Sequence, residues 1–234
     1  GFVPSGGLYF PDDESNEADV EAARSMVFRV NATGHLGCHG WWLDPVYLGS
    51  YPEQGLQAFG ADAPRIESGD MELICQPIDV CALNFYSARR VRAGEDGKPE
   101  IIPRPPGYPM TTQADWAITP PGIYWGLKFF HERYGLAMHI TENGHQNNDY
   151  VMLDGRVHDQ ERIDYTRRHL LQVKRAIDDG IPVRGYLHWT FMDNFEWAFG
   201  YKVRVGLVHT DYETQKRTPK DSAAWYRDVI ATNG

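Results

Sequence analysis

Two segments of the chain carry residue types that could do chemistry. In the first, Met138-His139-Ile140-Thr141-Glu142-Asn143-Gly144, a short β-prone apolar run ends in one carboxylate and a glycine turn follows at once. A strand ending this way would hold Glu142 at its C-terminal lip. A carboxylate there can attack an electrophile if hydrogen-bond donors keep it ionised. In the second, Trp189-Thr190-Phe191-Met192-Asp193-Asn194-Phe195-Glu196-Trp197, two tryptophans bracket three polar side chains behind another apolar run. Indoles normally pack a core, yet a purely structural element would rarely set Asp193, Asn194 and Glu196 between them. Flat apolar faces beside acceptors suit a ligand that presents C–H faces and hydroxyls together.

The elements that must position these residues alternate along the chain. Residues 2–10 read as a strand or its remnant, closed by Pro11. The acidic stretch 12–17 leads into a helix over 18–28, since negative charge favours a helix N-terminus. Gly34, Gly37 and Gly40 are expected to loosen the chain before Trp41-Trp42-Leu43-Asp44-Pro45. Residues 78–86 form a strand whose nearly continuous apolar centre marks cover on both faces, as in parallel sheets. Residues 93–121, rich in Gly and Pro, read as a long loop. A helix over 121–134 follows, with Pro in its first turn and Gly135 after its end. Beyond the Glu142 strand, a loop over 144–158 leads to a helix over 159–179. Asp159 is expected to cap that helix, Gly180 to end it, and Ile163, Leu170, Val173 and Ile177 to form its buried face. Residues 183–189 form the next strand, 206–208 a short one and 222–230 the last helix. Such alternation predicts an α/β fold of parallel strands joined by crossover helices. Residues 1–234 are read as a single segment, long enough for a sizeable core.

Together the two motifs resemble those of the family 1 glycoside hydrolases, the β-glucosidases and their relatives. The opening strand, the element from Trp41 to Pro45 followed by Tyr51-Pro52, Asn84-Phe85-Tyr86, Thr141-Glu142-Asn143-Gly144 and the block from Trp189 to Tyr226 come in the family's order. The resemblance covers nearly the whole chain but only half of the family's fold. It implies the C-terminal half of a TIM (β/α)8 barrel, strands five to eight with their helices, whose chemistry sits at the C-terminal lip of the strands. It further implies a retaining β-glycosidase of β-glucosidase type, acting on terminal β-D-glucosyl residues through a covalent glycosyl-enzyme. By that resemblance Glu142 is the nucleophile and Tyr86 the tyrosine that hydrogen-bonds it. Trp189 lies under the glycone, Glu196 accepts from its distal hydroxyls, and Trp197 and Asn84 also contact the sugar. Trp116, in Asp115-Trp116-Ala117-Ile118, matches the leaving-group platform. Members that take 6-phosphorylated sugars carry a small hydroxyl residue at the Glu196 position and a Lys where this chain has Val203, so an unphosphorylated sugar is implied. The usual Arg-Phe-Gly reads Arg204-Val205-Gly206. The family's acid/base Glu sits in Asn-Glu-Pro, which this chain lacks; Asn16-Glu17-Ala18 follows no apolar strand and has no Pro. The chain is therefore expected to need an N-terminal half barrel, or to self-associate. The alternative is a non-catalytic half barrel that binds sugar weakly or only assembles.

Composition narrows the remaining classes. A formal net charge of −9 argues against nucleic acid or an anionic membrane as partner. No apolar run is long enough to span a bilayer. Cys38, Cys75 and Cys81 are odd in number and form no CxxC pair, which points to reduced thiols and a cytoplasmic setting. His35-Leu36-Gly37-Cys38-His39 lacks a second ligand pair, so neither a metal nor another cofactor is expected. Asn31-Ala32-Thr33 fits the N-glycosylation pattern, which often arises by chance. No Gly-x-Ser-x-Gly elbow is present for a Ser-His-Asp hydrolase.

Overall fold

A computed structural model of the chain describes residues 1–30, 37–112 and 116–233. The Asn31 sequon, Gly34, His35, Leu36 and Asp115 lie outside the described residues. In chain order the elements are β1 (Tyr9–Pro11), α1 (Glu17–Phe28), α2 (His39–Leu48), α3 (Glu53–Phe59), α4 (Asp70–Ile74), β2 (Val80–Asn84), β3 (Arg89–Ala93) and β4 (Pro99–Ile101). Then come α5 (Pro121–Tyr134), β5 (Ala137–Asn143), α6 (Gln160–Asp178), β6 (Val183–His188), β7 (Val208–Thr210), β8 (Arg217–Pro219) and α7 (Asp221–Thr232).

The central sheet is parallel, in the order β2-β5-β6. Phe2 bridges in parallel to Cys81 on β2, so the opening segment joins the sheet beside that strand. Helices α1, α5, α6 and α7 follow the successive strands, giving the sequential parallel order that a βα barrel requires. The core lies between the outer face of β2 and β5 and the helices. Leu83, Phe85, Ile123, Leu127, Phe129, Phe130, Met138 and Ile140 are all fully buried there. Each such side chain contributes about 1.5–3 kcal/mol by leaving water. Pro at its start and Gly135, at φ 69°, at its end fix the bounds of α5.

Several expectations change. Residues 2–10 do not make one strand: Phe2 touches the main sheet, whereas β1 pairs with β3 in a side sheet completed by β4. That side sheet carries β4 into a stretch expected to be loop. Gly40 lies within α2 rather than in a loosened segment. The helix α6 buries Arg162, Tyr165, Thr166, His169, Val173 and Ala176; of the aliphatic face read from the sequence Val173 is buried, Ile163 and Leu170 are half-buried and Ile177 is exposed. A polar layer beneath it decides which face turns inward. Asp159 makes no capping bond within α6. Its carboxylate instead accepts from Arg162 Nε at 2.9 Å, Ser222 N at 2.9 Å and Ser222 Oγ at 2.6 Å. The short strand expected over 206–208 lies two residues later, as β7 over Val208–Thr210, and pairs with β8.

Candidate active site

Alternation along β5 sends Met138 and Ile140 to the helix face and leaves Ala137, His139 and Thr141 half-buried on the opposite face. Strict alternation would turn Glu142 toward the helices. The register between β2 and β5 instead slips by one residue: Leu83 opposes Ile140, but Asn84 opposes Glu142. Thr141 is the extra residue of this bulge, and bulges beside functional sites re-aim the side chains that follow. Asn143 takes the inward, buried position in place of Glu142. Its amide donates to Phe85 O at 2.8 Å and Tyr165 Oη at 3.0 Å, and its Oδ1 accepts from Tyr186 Oη at 2.6 Å. A buried, saturated amide of this kind fixes the strand end that carries Glu142.

Glu142 is half-buried, and its Oε2 accepts from Tyr86 Oη at 2.7 Å. Burial first, then the bond to Glu142 and the charges of Glu142 and Glu196, push the Tyr86 phenol well above its ordinary value. It stays a neutral donor. Tyr86 is held in turn by Tyr165, whose hydroxyl donates to Tyr86 O at 2.9 Å. The Trp116 ring lies 4.8 Å from that of Tyr86. Asn84 sits on the neighbouring strand end, its Oδ1 accepting from Thr141 Oγ1 at 2.7 Å.

The Trp-bracketed block meets this strand end directly. Trp189 N donates to Asn143 O at 2.9 Å. A Cβ on Gly144 would lie 1.9 Å from Trp189 O, so only glycine lets the two turns touch. Trp189 Nε1 donates to Glu196 Oε2 at 3.2 Å. Burial raises the Glu196 carboxyl above its ordinary value, the Trp189 N–H opposes this, and the Glu142 charge adds to it. Trp197 begins the turn Trp197–Phe199 and is 77% exposed. Thus Glu142, Tyr86, Asn84 and Trp116 are gathered at one sheet end, Trp189 and Glu196 join them, and Trp197 stands outward. Trp116 also lines a cleft of about 700 Å³ with Arg89, Arg90 and Tyr108, which neither Glu142 nor Glu196 lines.

Asp193 does not belong to a ligand surface. Asp193 is buried, its Oδ1 bound by Lys220 Nζ at 2.9 Å and Gly206 N at 2.9 Å, and its Oδ2 by Arg204 Nη1 at 3.0 Å. Asn194 Nδ2 donates to Met192 O at 3.0 Å. Lys220 also binds Asp149, and Arg162 binds both Asp149 and Asp159. Against burial, which raises it, the Arg162 and Lys220 charges hold Asp149 below the usual carboxylate range. Burial, with Arg162 and Lys220 nearby, depresses the His188 imidazole to about 3, so it is neutral beside this layer. None of Asp149, Arg162 or Lys220 stood out in the sequence, because isolated charges carry no spacing signal. Of the His35–His39 segment, His39 is buried with its ring edge-on to Phe130. Among the described residues no group of three or more His, Cys, Asp or Glu is placed to hold a metal ion.

The model of glycosyl hydrolase family 1 matches residues 1–234. The chain is 43% identical to a 1,4-beta-D-glucan glucohydrolase of Thermotoga neapolitana, aligning over 100% of this chain and 51% of that protein. It is 41% identical to beta-glucosidase A of Thermotoga maritima over the same shares. The solved structure of the Thermotoga maritima beta-glucosidase with glucoimidazole superposes with a TM-score of 0.81 at 41% identity, over 99% of this chain and 50% of that one. The chain spans about half the length of the curated relatives it matches. It belongs to glycosyl hydrolase family 1 and corresponds to the C-terminal half of that family's (β/α)8 barrel.

Proposed function

We propose that this chain supplies the nucleophile and half the glycone site of a retaining β-glucosidase. The observation that carries the reading is the 2.7 Å bond from Tyr86 to Glu142 across two strands, with the Trp189–Glu196 pair close enough for Glu142 to perturb Glu196. Glu142 attacks the anomeric carbon and forms the glycosyl-enzyme, and water later releases the sugar. Tyr86 orients Glu142. Trp189 lies beneath the glycone while Glu196, with Asn84, takes its hydroxyls; Trp197, exposed at the rim, contacts the sugar's outer edge. Trp116 stacks on the leaving group. An unphosphorylated glucoside or oligosaccharide fits, because the Glu196 carboxylate repels phosphate and Val203 is buried.

Protonation of the leaving group falls to a carboxyl group outside this chain, in an N-terminal half barrel. Exposed apolar side chains at the β6 end of the sheet, Leu187 at 57% and Phe191 at 67%, support such a covering partner or a second copy. The unpaired thiols of Cys38, Cys75 and Cys81 support a cytoplasmic setting. The half-length match also favours a second reading, in which the chain alone assembles or binds sugar without turnover.

The test is an activated aryl β-glucoside assayed with the chain alone and with the N-terminal half. Turnover should require both halves, a 2-deoxy-2-fluoro glucoside should label Glu142, and Glu142→Gln should lose ~10⁴-fold or more. Labelling elsewhere, or activity retained in Glu142→Gln, sinks the assignment. No turnover or labelling in the completed barrel selects the second reading.

A further inference from the structure

Beneath their direct backbone contacts, the glycone loop and the loop that follows Glu142 share one buried ammonium group. Lys220 Nζ reaches Asp193 Oδ1 at 2.9 Å and also binds Asp149 Oδ2. Asp193 sits three residues before Glu196, in the Trp-bracketed block; Asp149 sits seven residues after Glu142. The side chains of Lys220, Asp149 and Asp193 are all 0% exposed. Arg162 anchors the same Asp149 together with His145 O, and Gly206 N and Arg204 complete the hold on Asp193. A Cβ on Gly206 would lie 2.2 Å from Asp193 N, so the backbone there is pressed against the loop. Glu196 has no comparably buried anchor of its own: beyond the Trp189 indole, its backbone N–H donates to Gly200 O at 2.8 Å. The place of Glu196 relative to Glu142 is therefore set from below as well as through Trp189.

We propose that Lys220 is a positioning residue for glycone recognition, clamping the Glu196 loop to the loop of Glu142 by bridging Asp193 and Asp149. The proposal rests on the reading of Glu196 as a sugar-binding group. Lys220 touches no substrate. A bridge of this kind acts on distance: without it the loops stay linked by Asn147 N to Arg204 O at 3.0 Å and Trp189 N to Asn143 O at 2.9 Å, but the segment beneath Glu196 loses a fixed point, and a displacement of about 1 Å at a reacting site can cost ~10²-fold. Charge balance alone makes a different claim, since removing Lys220 together with one of its carboxylates leaves the layer's net charge unchanged.

The experiment compares Lys220→Met with the charge-balanced pair Lys220→Met and Asp149→Asn in the completed barrel. It measures thermal stability, the Kd for deoxynojirimycin and kinetics on an aryl β-glucoside. The single variant should be strongly destabilised. The pair should regain most of the lost Tm yet bind deoxynojirimycin roughly 10- to 100-fold more weakly, with KM raised more than kcat is lowered. Wild-type affinity in the pair would overturn the proposal and leave Lys220 as a counter-charge. Loss of the fold in both variants would also overturn it, by making Lys220 a determinant of folding. Failure of the unmutated barrel to bind the probe would instead bring down the functional reading, and the proposal with it.

Discussion

The two sides of the sheet's C-terminal half are built on opposite principles. Between β2, β5, α1 and α5 the filling is apolar: Leu83, Ile123, Leu127, Phe129, Phe130, Met138 and Ile140 interlock with no exposure. Under Trp189–Trp197 and the loop after Glu142 the filling is ionic: Asp149, Asp159 and Asp193 face Arg162, Arg204 and Lys220. Apolar burial is non-directional, so it holds the strands without dictating one position for any atom. Charge-assisted hydrogen bonds are directional, so the ionic layer dictates loop positions at the expense of desolvating six charged groups. The layer that fixes the loops lies directly under the residues that would grip a sugar.

This contrast breaks most visibly at Arg162. Arg162→Met leaves Asp159 with no cation among the described residues and Asp149 with Lys220 alone, and should cost about 3–5 kcal/mol, read in urea unfolding. A loss under about 1 kcal/mol, the size expected of an exposed pair, would show that the layer does not hold the loops. Glu196→Ser tests the surface the layer supports. It should reduce kcat/KM for a plain glucoside in the completed barrel by about 10- to 100-fold, the range of ~1.5–3 kcal/mol for hydrogen bonds to a charged group. Unchanged kcat/KM would remove Glu196 from the site.

On the apolar side, Leu83→Met keeps volume and should cost less than about 1.5 kcal/mol, with glucosidase activity intact. A larger loss would mean that this core is as position-specific as the ionic layer. The smallest effect sharpens the layer's outer edge. His158 is held between Asp154 Oδ2 at 2.9 Å and Asp221 Oδ2 at 2.6 Å. These bonds, that to Asp154 first, raise its pKa above the ordinary 6.5. A raised folded-state pKa gives stability that is complete below the unfolded value and lost as pH rises through the folded one. The Tm difference between the wild type and His158→Gln should therefore shrink from about pH 6 toward about pH 8. A difference that grows with pH would contradict the sign.

Much of the site was legible because local signals carry it. The strand-end Glu142, Tyr86 on a different strand end and the Trp189–Glu196 pair all meet as their motifs imply. The bounds of α5 followed from Pro121 and Gly135, and those of the sheet strands from apolar runs between turns. Asp193 was misread because a carboxylate among indoles looks the same in sequence whether it faces a ligand or a buried lysine. The face of α6 was misread because Arg162 and Tyr165 are polar by type yet hydrogen-bonded in place, and His169 is buried with its Nδ1 against Tyr165 O.

The sequence by itself determined the family, the alternation of the main parallel strands with α1, α5, α6 and α7, and that Glu142, Tyr86 and the Trp189–Glu196 pair come to one end of the sheet. These follow from propensity, periodicity and motif, which are properties of neighbours along the chain. Only the tertiary structure decided that Thr141 is an extra residue that turns Glu142 away from the helices, and that Lys220 ties Asp149 to Asp193. Register is set between strands, and a buried charge is meaningful only with its partners. Neither can be read from residues that lie 27 and 71 positions apart until the fold brings them together.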